Sequence, residues 1–476
     1  MIRTKRSWLA TALFLALIVM LAACGGNNGN NGGNGNNQAN NGGNNGDTPK
    51  SDVKLTLWHW KVAFDPGFKA VADAFKKRTG VTVETKVFTP DATYIQKLSA
   101  AAVADGLPDI YMYWSGPGAG AFDGKAMNWK DELANDPAWK DSFFPAALSG
   151  DLITQASIDQ WKADEKSSQW TKDRQVGDIY SIPVDIGGNY TIYANAKLLK
   201  EAGLPTTPPA TIEQWIEDMK TVKEKTGVPG LTFSGKIFSV YENWFGNFVD
   251  YMKNGPESFT AFMNREEPMT DPKHMHFATF IDELSKNGLL VPGIASLDID
   301  PADQVFASGK AAYGLGGTFT YATYLAMGMS PDDIISFRVP AYKDSKLPDE
   351  KVTPIPLLSA SVLDKGPHKK EAIEFVKFLT SEEGEILYAN GANSIPSIKM
   401  KDTSKLKPIL QTMFSSLSAE ETWWSQNAAI ANKVFQPEWT KFHDDVQKMM
   451  LGETDAAKAA ANFDKNQASE KAKEAK

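Results

Sequence analysis

The chain has 476 residues, 42% of them hydrophobic and 23% charged, with a formal net charge of -8. That length suits roughly two to four domains with ample core, and an acidic chain without a basic footprint excludes nucleic acid as a partner. One cysteine rules out an intrachain disulfide or a cysteine-based metal cluster, and five scattered histidines form no metal-binding array, so no cofactor and no metal are expected.

Residues 1–24 read as targeting sequence. Arg3, Lys5 and Arg6 precede an uncharged stretch from Trp8 to Ala23. At about 16 residues it falls short of the ~20 that a bilayer span needs. It ends in Leu21-Ala22-Ala23-Cys24, which resembles the lipobox of bacterial lipoproteins. Cleavage there leaves Cys24 as an acylated first residue; the alternative is an ordinary signal peptide with an incidental cysteine. Two or three acyl chains anchor a domain stably, so the resemblance implies attachment to the outer face of the cell membrane. Residues 25–51 form a tether. Gly25 to Gly46 is almost entirely Gly and Asn and offers no apolar side chain to offset ordering entropy. Its random-coil span is roughly 25 Å.

Regular structure is predicted from Asp52. Val53 to Trp58 reads as a strand, and Phe68, Val71, Ala72 and Phe75 lie at helical spacing before Gly80. Val81 to Val87 alternates. Tyr94, Ile95, Leu98, Ala101 and Ala102 form the next helical stripe, and Asp109 to Trp114 is a third strand. This order predicts a parallel, doubly wound α/β sheet, in which ligands meet the carboxyl ends of the strands. A second α/β unit begins near Asn189. Tyr190 to Asn195 is its first strand. Thr211 with Gln214 forms a capping box before a helix that buries Trp215. Leu231 to Phe233 is a strand, Phe238 to Phe248 a helix, and Phe259 to Leu290 reads as helices. Pro301 to Ser308 is a helix, Ala311 to Leu315 a strand, and Glu371 to Leu379 and Glu382 to Ala389 are helices. From Lys405 the chain is nearly all helical.

Several phrases form a resemblance. They are Leu55-Thr56-Leu57-Trp58, Phe75 to Val83, Gly106-Leu107-Pro108-Asp109-Ile110, Tyr180 to Asp185, Leu198 to Pro205 with Pro208 to Thr211, and Phe306 to Ala312. Glu371 to Leu379 and Ile395-Pro396 complete the set. In number, order and spacing they are similar to the substrate-binding lipoproteins of bacterial ABC importers, in the branch that takes up maltose, multiple sugars and oligosaccharides. Three positions depart from the pattern. Ala196 stands where the family commonly has Lys, Tyr313 where it often has Met, and Phe319 where it often has Trp.

The resemblance implies a two-lobed α/β fold with discontinuous lobes, hinge strands and a cleft between them. Lobe one is placed at 52–183 with 350–398, and lobe two at 184–349 with 399–476. It further implies a monomeric, non-catalytic protein that closes on a carbohydrate by hinge motion and docks on the permease subunits of an ABC transporter.

A sugar site needs aromatic faces for ring C–H groups and planar polar groups for hydroxyls. Candidates at strand ends are His59 and Trp60, then Trp114 and Ser115. Asp185 follows the crossover proline and is read as a hydroxyl acceptor, or else as a hinge cap. Trp244 shares a helix face with Tyr241, so core is its alternative. Thr318 and Phe319 follow Gly317, and Trp423-Trp424 cannot both face one core. Thirteen tryptophans exceed what folding alone asks for. His274 and His276 lack a third metal ligand, and Asp298 to Asp303 reads as an acidic helix start. Two other functions stay open: a lipid-anchored glycan hydrolase, and the same fold binding a peptide or polyamine.

Overall fold

The computed structural model describes residues 51–238, 240–419 and 430–474. Cys24, the Gly/Asn tether, Trp423 and Trp424 lie outside these residues.

Two sheets organise the chain. The first contains β1 (Lys54–His59), β2 (Thr82–Val87), β3 (Ile110–Trp114), β4 (Ile182–Pro183) and β9 (Leu358–Val362), in the order β2-β1-β3-β9-β4. β1 pairs parallel with β2 and β3, as the strand–helix alternation predicts. β9 is antiparallel to β3 and to β4, so the sheet is mixed rather than wholly parallel. The second sheet contains β5 (Tyr190–Asn195), β6 (Leu231–Thr232), β7 (Tyr313–Gly317) and β8 (Ile334–Phe337), in the order β6-β7-β5-β8.

Local sequence signals explain most helices. Asp65–Thr79 buries Phe68, Val71, Ala72 and Phe75 on one stripe, and Gly80 ends it at φ 81°, a conformation that costs glycine little. In Asp91–Val103, Tyr94, Leu98 and Ala102 are buried, but Ile95 is exposed; the inward stripe is narrower than predicted. Thr211 Oγ1 accepts from the Gln214 backbone N–H at 3.3 Å, while the Gln214 amide turns away to Asp218 at 2.8 Å. The cap is therefore one-sided, not a reciprocal box. Trp215 is wholly buried, as its place on the apolar stripe predicts.

Each sheet has its own core. One gathers Leu55, Leu57, Phe75, Ile110, Met112 and Phe375. The other gathers Ile192, Trp215, Phe245, Phe277, Leu315 and Trp439. A third, smaller cluster joins Phe144, Ala147, Ala389 and Ile395 to Tyr193, Phe306, Tyr324 and Leu410, packing the lobes together beside the crossing strands.

The second lobe also buries charge. Arg265 donates to both oxygens of Glu438, at 2.6 and 2.9 Å. His274 lies between two carboxylates: Nδ1 is 2.8 Å from Asp250 and Nε2 is 2.8 Å from Glu267. His276 is 3.5 Å from the same Asp250. His274 is thus part of an ion-pair network, whereas burial lowers the His276 pKa to about 4 and leaves that ring neutral; the two lie on a turn and a helix start rather than on a strand. Burial pulls the His274 imidazolium down, but Asp250 and Glu267 outweigh it and hold the pKa above the ordinary value. A raised folded-state value gives stability that is present below the unfolded pKa of about 6.5 and lost as pH rises through the folded value. Melting curves above pH 6.5 are expected to show this loss, and His274→Gln to flatten it; an unchanged slope would show that the imidazole is neutral in the fold.

Candidate functional site

Parallel pairing of β1 with β3 brings their carboxyl ends together. Trp60 and Trp114, each at one of those ends, stack with ring centroids 4.1 Å apart at 26°. Tyr94 tilts against Trp60 at 5.5 Å. Trp60 is 3% exposed and Trp114 is half-buried, so Trp60 backs the pair and Trp114 presents the open face. Ser115 follows, half-buried, with its N–H on Leu357 O at 3.1 Å.

His59 does not join them. β1 runs one residue further than predicted, so His59 alternates inward with Leu55 and Leu57. It is wholly buried, 3.2 Å from Asp65 and packed on Phe68. Burial lowers its pKa against the pull of Asp65.

A second stacked pair stands on lobe two. Tyr190, the first residue of β5, lies parallel to Trp244 at 3.8 Å and 12°. The segment predicted as a plain helix opens with a π turn, Glu242–Gly246. The wider turn buries Tyr241 and Phe245 in the core and leaves Trp244 half-buried against Tyr190. π turns of this kind often re-aim a side chain at a functional site. Tyr190 is missed by sequence reasoning; its only signal is its place directly after the crossover.

Thr318 is structural in its polar contacts: its N–H donates to Asn189 O at 2.7 Å and its hydroxyl to Ile186 O at 2.9 Å. β7 extends through Gly317, so the turn begins later than predicted. Phe319 follows, partly exposed, and the Lys61 ammonium sits 4.9 Å from its ring centroid. Lys61 comes directly after Trp60. The loops after β1 and β7 therefore meet across the cleft.

The floor is the hinge. Gly188 N–H donates to Ile355 O at 3.0 Å, Ile186 N–H to Ile395 O at 2.8 Å, and Val184 N–H to Leu358 O at 3.0 Å. Asp185 is wholly buried among these strands. Oδ1 accepts the N–H groups of Gly187 at 3.3 Å and Leu358 at 3.2 Å, and Oδ2 accepts the Ser394 hydroxyl at 2.7 Å. These bonds tie three chain crossings to one carboxylate, and they correct the reading of Asp185 as a hydroxyl acceptor for ligand. Burial pushes its pKa up to about 6, against the hydrogen bonds that favour the anion.

Residues 61–386, more than half of the chain, match the family described as bacterial extracellular solute-binding protein. The chain belongs to that family. Its location is accordingly extracytoplasmic. No curated protein matches this solute-binding protein by sequence. Among solved structures it is similar to a protein studied for xylan utilization by the thermophilic bacterium Caldanaerobius polysaccharolyticus, at 19% identity over 87% of this chain and 100% of that one, with a TM-score of 0.58. It is similar to a chitin oligosaccharide binding protein at 19% identity, over 88% and 98% of the two chains, with a TM-score of 0.59. It is also similar to a maltose-bound T. maritima protein at 16% identity, over 87% and 99%, with a TM-score of 0.58. These likenesses show the two-lobed binding-protein fold.

Proposed function

We propose that this protein captures an oligosaccharide between its lobes and delivers it to the permease of an ABC importer. The observation that carries this reading is the pair of stacked aromatic platforms, Trp60–Trp114 on lobe one and Tyr190–Trp244 on lobe two. Rigid indole and phenol faces suit the apolar faces of sugar rings and lose little entropy on binding. The structural relatives named above point the same way, since two of them are described with chitin oligosaccharide or maltose. Lobe boundaries near 183, 350 and 398 fit the hinge crossings at Val184–Asn189, Thr353–Leu358 and Ile395–Pro396. The role is binding, as a monomer, without catalysis.

A thermal-shift screen and calorimetry with maltotriose, xylotriose, chitotriose and stachyose test the reading. A ligand at 100 times its dissociation constant adds about 2.7 kcal/mol of stability. Small-angle scattering is expected to show a smaller radius of gyration with the ligand that binds. Turnover of any of these sugars would replace the binding role with a hydrolase, and binding of peptides or polyamines alone would replace the ligand class.

The lipobox-like Leu21-Ala22-Ala23-Cys24 supports lipid anchoring on the outer face of the membrane. Cys24→Ser is expected to release the protein into the soluble fraction. Fractionation of cells expressing the two forms checks this, and retention of the mutant in membranes would rule out the anchor.

A further inference from the structure

Behind the loop that follows Trp114 runs a chain of hydrogen bonds whose protons can be counted. Asp151 ends the helix Pro145–Asp151 and is wholly buried. Its Oδ1 accepts the Gly116 N–H at 2.7 Å, and its Oδ2 accepts the Ser359 hydroxyl at 2.6 Å. Ser359, also wholly buried, has its Oγ 2.6 Å from Ser115 Oγ. A carboxylate only accepts, and a serine carries one hydroxyl proton. Ser359 commits its proton to Asp151. The proton between the two serines therefore comes from Ser115. What Ser115 retains for the half-open side is lone pair alone.

We propose that Asp151, acting through Ser359, fixes Ser115 as a hydrogen-bond acceptor in the cleft, so that the site selects ligands presenting a donor there, a hydroxyl or an amide N–H. The proposal deepens the carbohydrate reading and rests on it for the ligand class. Asp151 is a positioning residue, since it touches no ligand itself. Burial pushes its pKa up to about 7, so at pH 8 it is ionised and the chain runs in the stated direction. The groups on it are the Ser359 and Ser181 hydroxyls and the Gly116 amide, all uncharged.

Neutron diffraction from deuterium-exchanged crystals of the free wild-type protein at pH 8 tests the proton placement without any ligand. The expected map has the Ser115 deuterium on the line to Ser359 Oγ and the Ser359 deuterium on the line to Asp151. A deuterium on Ser359 pointing at Ser115 would overturn the proposal. Calorimetry at pH 8 tests selection, using maltotriose, xylotriose and chitotriose with single hydroxyls replaced by hydrogen or fluorine. Fluorine accepts but cannot donate. At one position the wild type is expected to lose affinity by the same factor, about three- to tenfold, for both replacements. In Asp151→Asn the Gly116 N–H keeps the amide oxygen in place, and the NH₂ group faces Ser359 and donates to it. The chain then reverses, Ser115 can donate, and the fluoro derivative is expected to regain affinity over the deoxy one. A wild type that prefers fluoro to deoxy at every hydroxyl would overturn the proposal. If none of the trisaccharides binds, the carbohydrate reading fails, and the neutron map still decides the relay.

Discussion

Trp114→Ala is expected to weaken oligosaccharide binding about thirtyfold, the effect of truncating an aromatic hot spot worth at least ~2 kcal/mol. Trp114 is half-buried and forms the open face of the lobe-one stack, so its removal bares a ring-sized patch of cleft wall. The fold loses the ring contacts to Trp60, Tyr94 and Tyr113 and the packing of the buried half of the indole, a smaller cost than truncating a wholly buried ring. Trp60→Ala has the opposite profile. Trp60 is 3% exposed and lies between Trp114 and Tyr94. Its truncation opens a cavity and is expected to cost about 3–5 kcal/mol of stability. Calorimetric titration beside a chemical melt of each mutant separates the two roles. Wild-type affinity in Trp114→Ala would remove this wall from the contact surface.

Asp185→Ala is expected to lower stability by about 3 kcal/mol or more. It leaves two backbone N–H groups and one hydroxyl without an acceptor in a wholly buried site, and each orphaned group costs about 1–3 kcal/mol. Asp185→Asn behaves differently. Its oxygen can keep the Gly187 and Leu358 N–H groups while its NH₂ group faces the Ser394 hydroxyl, which can accept. Most of the stability is therefore retained. The sign of the pH effect follows from the raised pKa. The folded protein holds a proton up to about pH 6 that the unfolded chain releases near pH 3.9, so this contribution is full below 3.9 and is lost as pH rises through 6. Asp185→Asn is expected to flatten that fall. Melts of both variants from pH 3.5 to 7.5 check the result. Weakened sugar affinity in Asp185→Asn at unchanged stability would return this carboxylate to the ligand site.

The residues show why the site was only partly legible. Trp60 and Trp114 were found because parallel strands with a helix between them must end on the same side, and that order is written in local periodicity. Trp244 was selected as an aromatic, but its partner Tyr190 lies more than fifty positions away in the chain and carries no mark of the pairing. His59 reads as a loop residue beyond β1, but the strand runs one residue further and its alternation carries His59 inward with Leu55 and Leu57. The Asp151–Ser359–Ser115 chain joins three distant segments, and none of the three residues is distinctive alone.

The sequence by itself determined the acidic, nearly cysteine-free composition and the alternation of strands and helices. It also determined the burial of Trp215, because apolar spacing and turn residues act over a few positions. Only the tertiary structure decided that β9 runs antiparallel between β3 and β4, that a π turn leaves Trp244 facing Tyr190, and that Asp185 serves the hinge. Each depends on which strands cross between the lobes and in what direction. Once buried, a polar group must take whatever donors those crossings bring within hydrogen-bond reach, because leaving it unpaired costs more than any local preference.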